Sequence, residues 1–369
     1  MRRPACGGGL LARSRTVAWL TPVLLALVGA APAAPKPAAP LVMTAMHLHD
    51  PFIVADRTTR TYYLFTRNEA AMTGDKRLGT MVYTSRALKH WTRPKLAFVL
   101  PPNVWAKAGS WAPEVHQWRG KWYLFTTFHN AEAPLGMNGK RPTYRRGTVL
   151  AVADRVGGPY RLVRGGEPIV SKDLMTLDGS LYLDPGGKPW LVYAHEWWQT
   201  TVGTMETVPL DDSLAQAGSP KVLFRADEAA WVVGQKQPDG ETVFVTDGPQ
   251  LYRSKTGKLL MLWSSYGKKG YVEGQARSKS GTLAGPWEQL GVLVERDSGH
   301  GMLFRAFDGR LMMILHRPFN YALGKLYEMR DDGDRLTVVR EATELDGEAY
   351  PTHPCVPGHS SFDGATPGC

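Results

Sequence analysis

One short pattern, repeated five times, constrains this chain more than any other feature. Each copy opens on a polar residue, runs into a short apolar strand, turns, and returns in a second apolar strand. His49-Asp50-Pro51-Phe52-Ile53-Val54 leads to Tyr62-Tyr63-Leu64-Phe65, and Trp111-Ala112-Pro113-Glu114-Val115 leads through Arg119-Gly120 to Trp122-Tyr123-Leu124-Phe125. Leu177-Asp178-Gly179-Ser180 leads to Trp190-Leu191-Val192-Tyr193, Asp247-Gly248-Pro249 to Leu259-Leu260-Met261-Leu262, and Gly299-His300-Gly301-Met302 to Leu311-Met312-Met313-Ile314. Strand pairs joined by Gly-containing turns are β-hairpins. Each hairpin is followed by another strand and a turn-rich finish, as in Val82-Tyr83-Thr84-Ser85 before His90-Trp91. Four strands in each of five units predict an all-β fold: a five-bladed β-propeller with four-stranded antiparallel blades around a central channel. No stretch keeps a helical period, and residues 41–44 are expected to supply a strand that closes the ring.

The N-terminal segment reads differently. Arg2, Arg3, Arg13 and Arg15 precede an apolar run over 17–28, and small residues follow, which is the layout of a secretory signal peptide over 1–33. The run falls short of the ~20 residues that cross a bilayer, so stable membrane insertion is not expected after cleavage. The expected location is the periplasm or the extracellular space. Residues 34–40 form an Ala/Pro-rich linker, 41–349 the propeller, and 350–369 a C-terminal tail. Four of the 44 basic residues and none of the 34 acidic ones lie in the signal segment, so the net charge of +10 falls to +6. That mild, interspersed excess does not form a nucleic-acid footprint. Cys6 leaves with the signal, and Cys355 and Cys369 are expected to form a disulfide that ties down the tail.

Propeller geometry converts sequence positions into a site. First strands line the channel and run the same way, so Asp50, Asp178 and Asp247 converge on one mouth. A lone Asp before Gly or Pro is ordinarily a turn residue. Three at equivalent repeat positions are electrostatically costly together and point to function.

The ordered set His49-Asp50-Pro51, Trp111-Ala112-Pro113-Glu114-Val115, Leu177-Asp178-Gly179-Ser180, Asp247-Gly248-Pro249 and Gly299-His300-Gly301-Met302 resembles glycoside hydrolase family 43, over about 47–329. The resemblance implies a carbohydrate substrate, with an α-L-arabinofuranoside first and a β-xyloside or galactoside next. It also implies inversion of configuration, with Asp50 as the base that activates water and Asp178 as a third carboxylate that tunes the acid. The chemistry suits such a trio, because inversion needs an acid and a base on opposite faces of the bond, with carboxyls roughly 6.5–9.5 Å apart.

At the acid the chain departs from the family, which usually carries Glu where Asp247 stands. The arm is shorter by about one C–C bond, ~1.5 Å. Either Asp247 remains the acid, or Glu228, ahead of Trp231, replaces it, with Glu196 as a further candidate. A propeller that binds carbohydrate without cleaving it is the alternative reading. His49, Trp111, Glu114, Trp197, Trp231 and His300 are candidate substrate-binding residues, with Trp198 beside them. No cofactor is required, although the resemblance allows His300 to sit beside a Ca2+ ion in the channel. Residues 129–147 read as a loop walling the cleft or as a solvated insertion.

Overall fold

The computed structural model describes residues 39–347, and the expected signal peptide, most of the linker, the tail and the Cys355–Cys369 pair lie outside them. Five antiparallel four-stranded sheets follow one another along the chain. Blade 1 comprises β1–β4 (Phe52–Asp56, Thr61–Arg67, Gly79–Ser85, Lys95–Val99), and blade 2 comprises β5–β8 (Ala108–Trp118, Lys121–Asn138, Arg141–Ala153, Arg161–Leu162). Blade 3 is β9–β12 (Thr176–Leu183, Pro189–His195, Thr204–Pro209, Lys221–Arg225). The small hairpin β13–β14 (Gln235–Lys236, Thr242–Val243) separates it from blade 4. Blade 4 is β15–β18 (Asp247–Arg253, Leu259–Gly267, Gly270–Ser278, Trp287–Val294), and blade 5 is β19–β22 (Gly299–Arg305, Leu311–Arg317, Leu323–Asp331, Leu336–Glu341). The first strands touch in the closed order β1, β5, β9, β15, β19 and back to β1, so the expected five-bladed propeller is the observed fold.

Period-two strands buried on both faces explain the stacking. Leu64, Phe65, Leu124, Phe125, Leu191, Val192, Leu260, Leu262, Met313 and Ile314 are all buried, and the apolar clusters they join lie between neighbouring blades. Arg119 and Gly120 both take positive φ (46° and 77°), the geometry that turns β5 tightly into β6.

Ring closure differs from the expectation. Residues Met43–Ala45 form a 3-10 turn instead of a strand, and all four strands of blade 5 come from the C-terminal part of the chain. The segment still bridges the two ends of the ring, because Leu41 pairs with Trp91 of blade 1 and His47 pairs with Leu323 of blade 5. The fourth strand of blade 1 is β4, and Trp91 lies before it in that bridge.

The presumed loop over 129–147 is also regular structure. β6 and β7 run past the blade as a long hairpin, paired from Trp122–Ala153 out to Asn138–Arg141. Its tip is latched to the short helix α2 (Trp197–Thr200), where Arg141 donates to Trp197 O at 3.2 Å and Asn138 donates to Trp198 O at 3.2 Å. Arg141 also pairs with Asp239 at 3.2 Å. Among the described residues no helix is long and apolar enough to cross a membrane.

Candidate active site

The same backbone irregularity recurs at the start of every blade. Asp50, Ala112, Asp178, Gly248 and His300 all have positive φ, between 45° and 57°. In blades 2 to 5 the register of the first two strands shifts at this point. Such bulges re-aim side chains and are frequent beside active sites. A left-handed backbone costs an L-residue about 1–2 kcal/mol, so four non-glycine cases at equivalent places mark a constraint other than folding. At Gly248 the reason for glycine is visible, since a Cβ there would lie 3.0 Å from the His300 ring.

Carboxylates fasten the bulges to one another. Asp50 Oδ2 accepts the Ala112 N–H at 3.3 Å, and Asp178 Oδ2 accepts the Gly248 N–H at 3.2 Å. His300 stands among all three acids, with its Nδ1 3.3 Å from Asp50, 3.7 Å from Asp247 and 3.9 Å from Asp178. Ser264 Oγ and Glu273 Oε2 accept the N–H groups of His300 and Gly301, each at 2.7 Å, and fix that bulge from below. His49 Nδ1 donates to Asp50 Oδ1 at 3.0 Å, and the Asp50 N–H donates to His316 Nδ1 at 3.3 Å. The Tyr271 hydroxyl donates to Asp247 Oδ2 at 2.7 Å.

The electrostatics separate the three acids. Burial alone would raise Asp50, but His49 and His300 outweigh it and hold its carboxyl well below the usual range. Burial, reinforced by the Asp247 charge, pushes Asp178 well above it. Asp247 is lowered in spite of burial, because Asp178 and His300 hydrogen-bond to it. Asp178 and Asp247 therefore share a proton that rests on Asp178. Burial works against a charged His300, yet the three acids hold it well above its ordinary value, as an imidazolium. Burial and the neighbouring His49 keep His316 well below its ordinary value.

This charge state bears on the calcium expectation. Asp178, Asp247 and His300 present ligand atoms within 4.8 Å of one another, as do His49, Asp50 and His316. Calcium takes six to eight oxygen ligands, and a protonated ring nitrogen offers it no lone pair. A Ca2+ ion here would therefore need His300 in its neutral form, with carboxylate oxygens of Asp178 and Asp247 beside it.

A cleft over the cluster is lined by His49, Asp50, Trp111, Leu177, Asp178, Trp197, Asp247 and Phe319. Asp50, Asp178, Asp247, His49, Trp111, Trp197 and His300 are thus brought together, and other candidates are not. Glu228 is exposed in a short 3-10 turn (Ala226–Glu228), where it accepts the Arg225 N–H at 3.1 Å. Trp231 packs on Trp263, with ring centroids 4.7 Å apart, and covers Gly274 inside blade 4. Glu114 accepts from Ser180 Oγ at 2.8 Å and bonds His116 Nε2 at 2.6 Å, so its carboxylate is spent between blades. Trp198 donates to Pro142 O at 2.8 Å and braces the long hairpin.

Sequence reasoning missed Tyr271, His316 and Phe319, which sit on or just after second and third strands. Glu273 was missed as well. Burial pushes its carboxyl up to about 8 against the hydrogen bonds from Ser264 and Gly301. From about pH 4.5, where the unfolded side chain ionises, to about pH 8, the unfolded chain has released a proton that the folded chain keeps. Stability therefore falls as pH rises through that window. Glu273→Gln is expected to flatten this fall, read from urea midpoints at pH 5 and pH 8. An unchanged slope would show that Glu273 is ionised in the folded chain.

Comparison with known proteins agrees with the geometry. The chain is similar to an endo-arabinase from Bacteroides thetaiotaomicron, with 35% identity, a TM-score of 0.71, and coverage of 81% of this chain and 100% of that one. It shares the fold of an endo-1,4-beta-xylanase from the same organism (22% identity, TM-score 0.63, covering 80% and 96%). An exo-1,5-alpha-L-arabinanase from a bovine ruminal metagenomic library also shares it (18% identity, TM-score 0.54, covering 80% and 97%). A comparison with curated protein sequences gives no match. The description of glycosyl hydrolases family 43 matches residues 41–341, almost the whole propeller, and the chain belongs to that family of inverting glycoside hydrolases.

Proposed function

We propose that this glycoside hydrolase is exported and cleaves α-L-arabinofuranosidic bonds of plant-type polysaccharide or oligosaccharide, with Asp50 as the general base. The observation that carries the catalytic reading is the convergence of three buried blade-start carboxylates on one histidine at the cleft, in surroundings that lower the Asp50 pKa and raise that of Asp178. An ionised Asp50 can accept a proton from water as that water attacks the anomeric carbon. A propeller that only bound sugar would have no use for two acids held in opposite states at that cost. The arabinose preference rests on the 35% identity with an endo-arabinase over its full length. Trp111 and Trp197 supply indole faces for stacking on a sugar ring. The signal-like N-terminal segment supports export, and the cleft chemistry as drawn routes no step through a metal.

The test is a panel of nitrophenyl arabinofuranoside, xyloside and galactoside together with linear arabinan. Arabinofuranoside turnover should exceed the others, and proton NMR of the first product should show the anomer opposite to that of the substrate. Faster turnover of the xyloside would overturn the substrate assignment. Appearance of the retained anomer would remove Asp50 from the role of base.

A further inference from the structure

The proton donor is not explained by the three acids at the blade starts. Asp247 occupies the expected place, yet its carboxylate accepts from Tyr271, faces His300 and shares the Asp178 proton, and it is held on the ionised side. It is also one methylene short, and a misplacement of about 1 Å at a reacting atom can cost ~10²-fold in rate. Asp178, which carries the shared proton, spends Oδ2 on the Gly248 N–H.

A fourth carboxyl is buried beside a residue that lines the cleft. Glu196 follows β10 directly, its N–H donates to Met175 O at 2.8 Å, and its chain neighbour Trp197 lines the cleft. The residue is 2% exposed, its Oε1 meets the Arg146 guanidinium, and its Oε2 is buried with no hydrogen-bond partner. Arg146 is itself clamped over Trp111, 4.9 Å from the ring centroid, and over Tyr144 at 5.0 Å. Trp111 lines the cleft as well, so Arg146 ties Glu196 to a second residue of its lining. A buried carboxyl oxygen without a partner costs about 1–3 kcal/mol and calls for an explanation in function.

We propose that Glu196 is the general acid, delivering its proton to the glycosidic oxygen while Asp50 takes one from water. In that step the water oxygen bonds to the anomeric carbon as the carbon–oxygen bond to the leaving group breaks, and the bond pair stays on the leaving oxygen. The Glu196 proton moves to that oxygen and gives a free alcohol, while Asp50 gains the proton that water loses. Exchange with solvent then restores both groups. Burial keeps the Glu196 carboxyl above its ordinary value even beside Arg146, and the Asp247 charge adds to the shift, which favours the protonated form. The guanidinium is in place to receive the carboxylate left after transfer. This inference rests on the hydrolase reading but not on the choice of sugar.

The experiment compares leaving groups on whichever aryl glycoside the wild-type enzyme turns over, so a wrong sugar assignment shows in the wild type and cannot be mistaken for a wrong acid. An acid matters in proportion to how poor the leaving group is. Glu196→Gln is expected to lower kcat/KM on the natural oligosaccharide by about 10²–10⁴-fold and to spare a dinitrophenyl glycoside to within about tenfold. Asp247→Asn should lower both by a similar factor, as expected of a group that positions and does not donate. Retained oligosaccharide turnover in Glu196→Gln overturns the proposal. So does an Asp247→Asn loss confined to the poor leaving group. Dinitrophenyl turnover also reports folding of the variant; if Glu196→Gln fails to fold, Glu196→Asp supplies the same comparison, with the same selective loss expected and a uniform loss counting against the proposal.

Discussion

Asp50→Asn is expected to abolish turnover of every substrate, activated or not, with kcat/KM falling about 10⁴-fold. The reasoning is that water must lose a proton whatever the leaving group, and Asp50 is the one blade-start acid held well below the usual range by histidines. Asparagine keeps the side-chain shape and an oxygen for the Ala112 N–H, now 3.3 Å from Asp50 Oδ2, so the fold is expected to survive. A second variant sharpens the test. Position 50 has φ 48°, which glycine accepts without strain, so Asp50→Gly opens the site while keeping the bulge. Azide is already an anion and needs no base, and it should restore turnover of the dinitrophenyl glycoside with an azide product of inverted configuration. An azide product of retained configuration, or an Asp50→Asn enzyme within tenfold of wild type, would place the base elsewhere.

The repeat made these residues legible before any coordinates. Strand starts of a propeller converge by geometry, so reading five equivalent openings was enough to bring Asp50, Asp178, Asp247 and His300 to one place. The residues that set their charge states were hidden for the same reason. Tyr271 lies near the start of the third strand of blade 4 and His316 near the end of the second strand of blade 5, and the two rings stack on one another across the blades, with centroids 5.5 Å apart. No pattern along the chain announces that.

Glu228 shows the opposite error. It lies between blades, where sequence order says little about direction, and it turned outward to cap Arg225. Residues 129–147, which carry Lys140, Arg141, Arg145 and Arg146, were expected as a loop, and the stretch also holds Pro134, Gly136, Gly139 and Pro142. These residues instead sit at register shifts and at the hairpin tip, where regular pairing bends or ends. Glu196 was visible as a glutamate near a blade, but its burial against Arg146 and its unpaired oxygen are facts of packing between blades 2 and 3.

His300→Asn should be among the most destabilising single changes in the channel, by about 3–5 kcal/mol, because it removes one partner from a buried ionic cluster. Asparagine tolerates the left-handed backbone at φ 56°, so the loss reports charge and not strain. The pH dependence has a definite sign. The His300 pKa is raised in the folded chain, so its contribution is full below its ordinary value of 6.5 and is lost as pH rises through the raised value. The Asp50 pKa is lowered, so its contribution is present above 3.8 and is lost as pH falls through the depressed value. The gap between wild type and His300→Asn should therefore be widest between about pH 4 and 6.5 and should narrow in stronger acid. Charge compensation offers a further discrimination. Adding Asp247→Asn to His300→Asn removes a real negative charge and should recover part of the lost stability. Adding Asp178→Asn removes a group that is already neutral and should recover less. Urea unfolding of the three variants at pH 6 reads the order directly. Greater recovery with Asp178→Asn would mean that the shared proton rests on Asp247, which would return Asp247 to the role of donor and take it from Glu196.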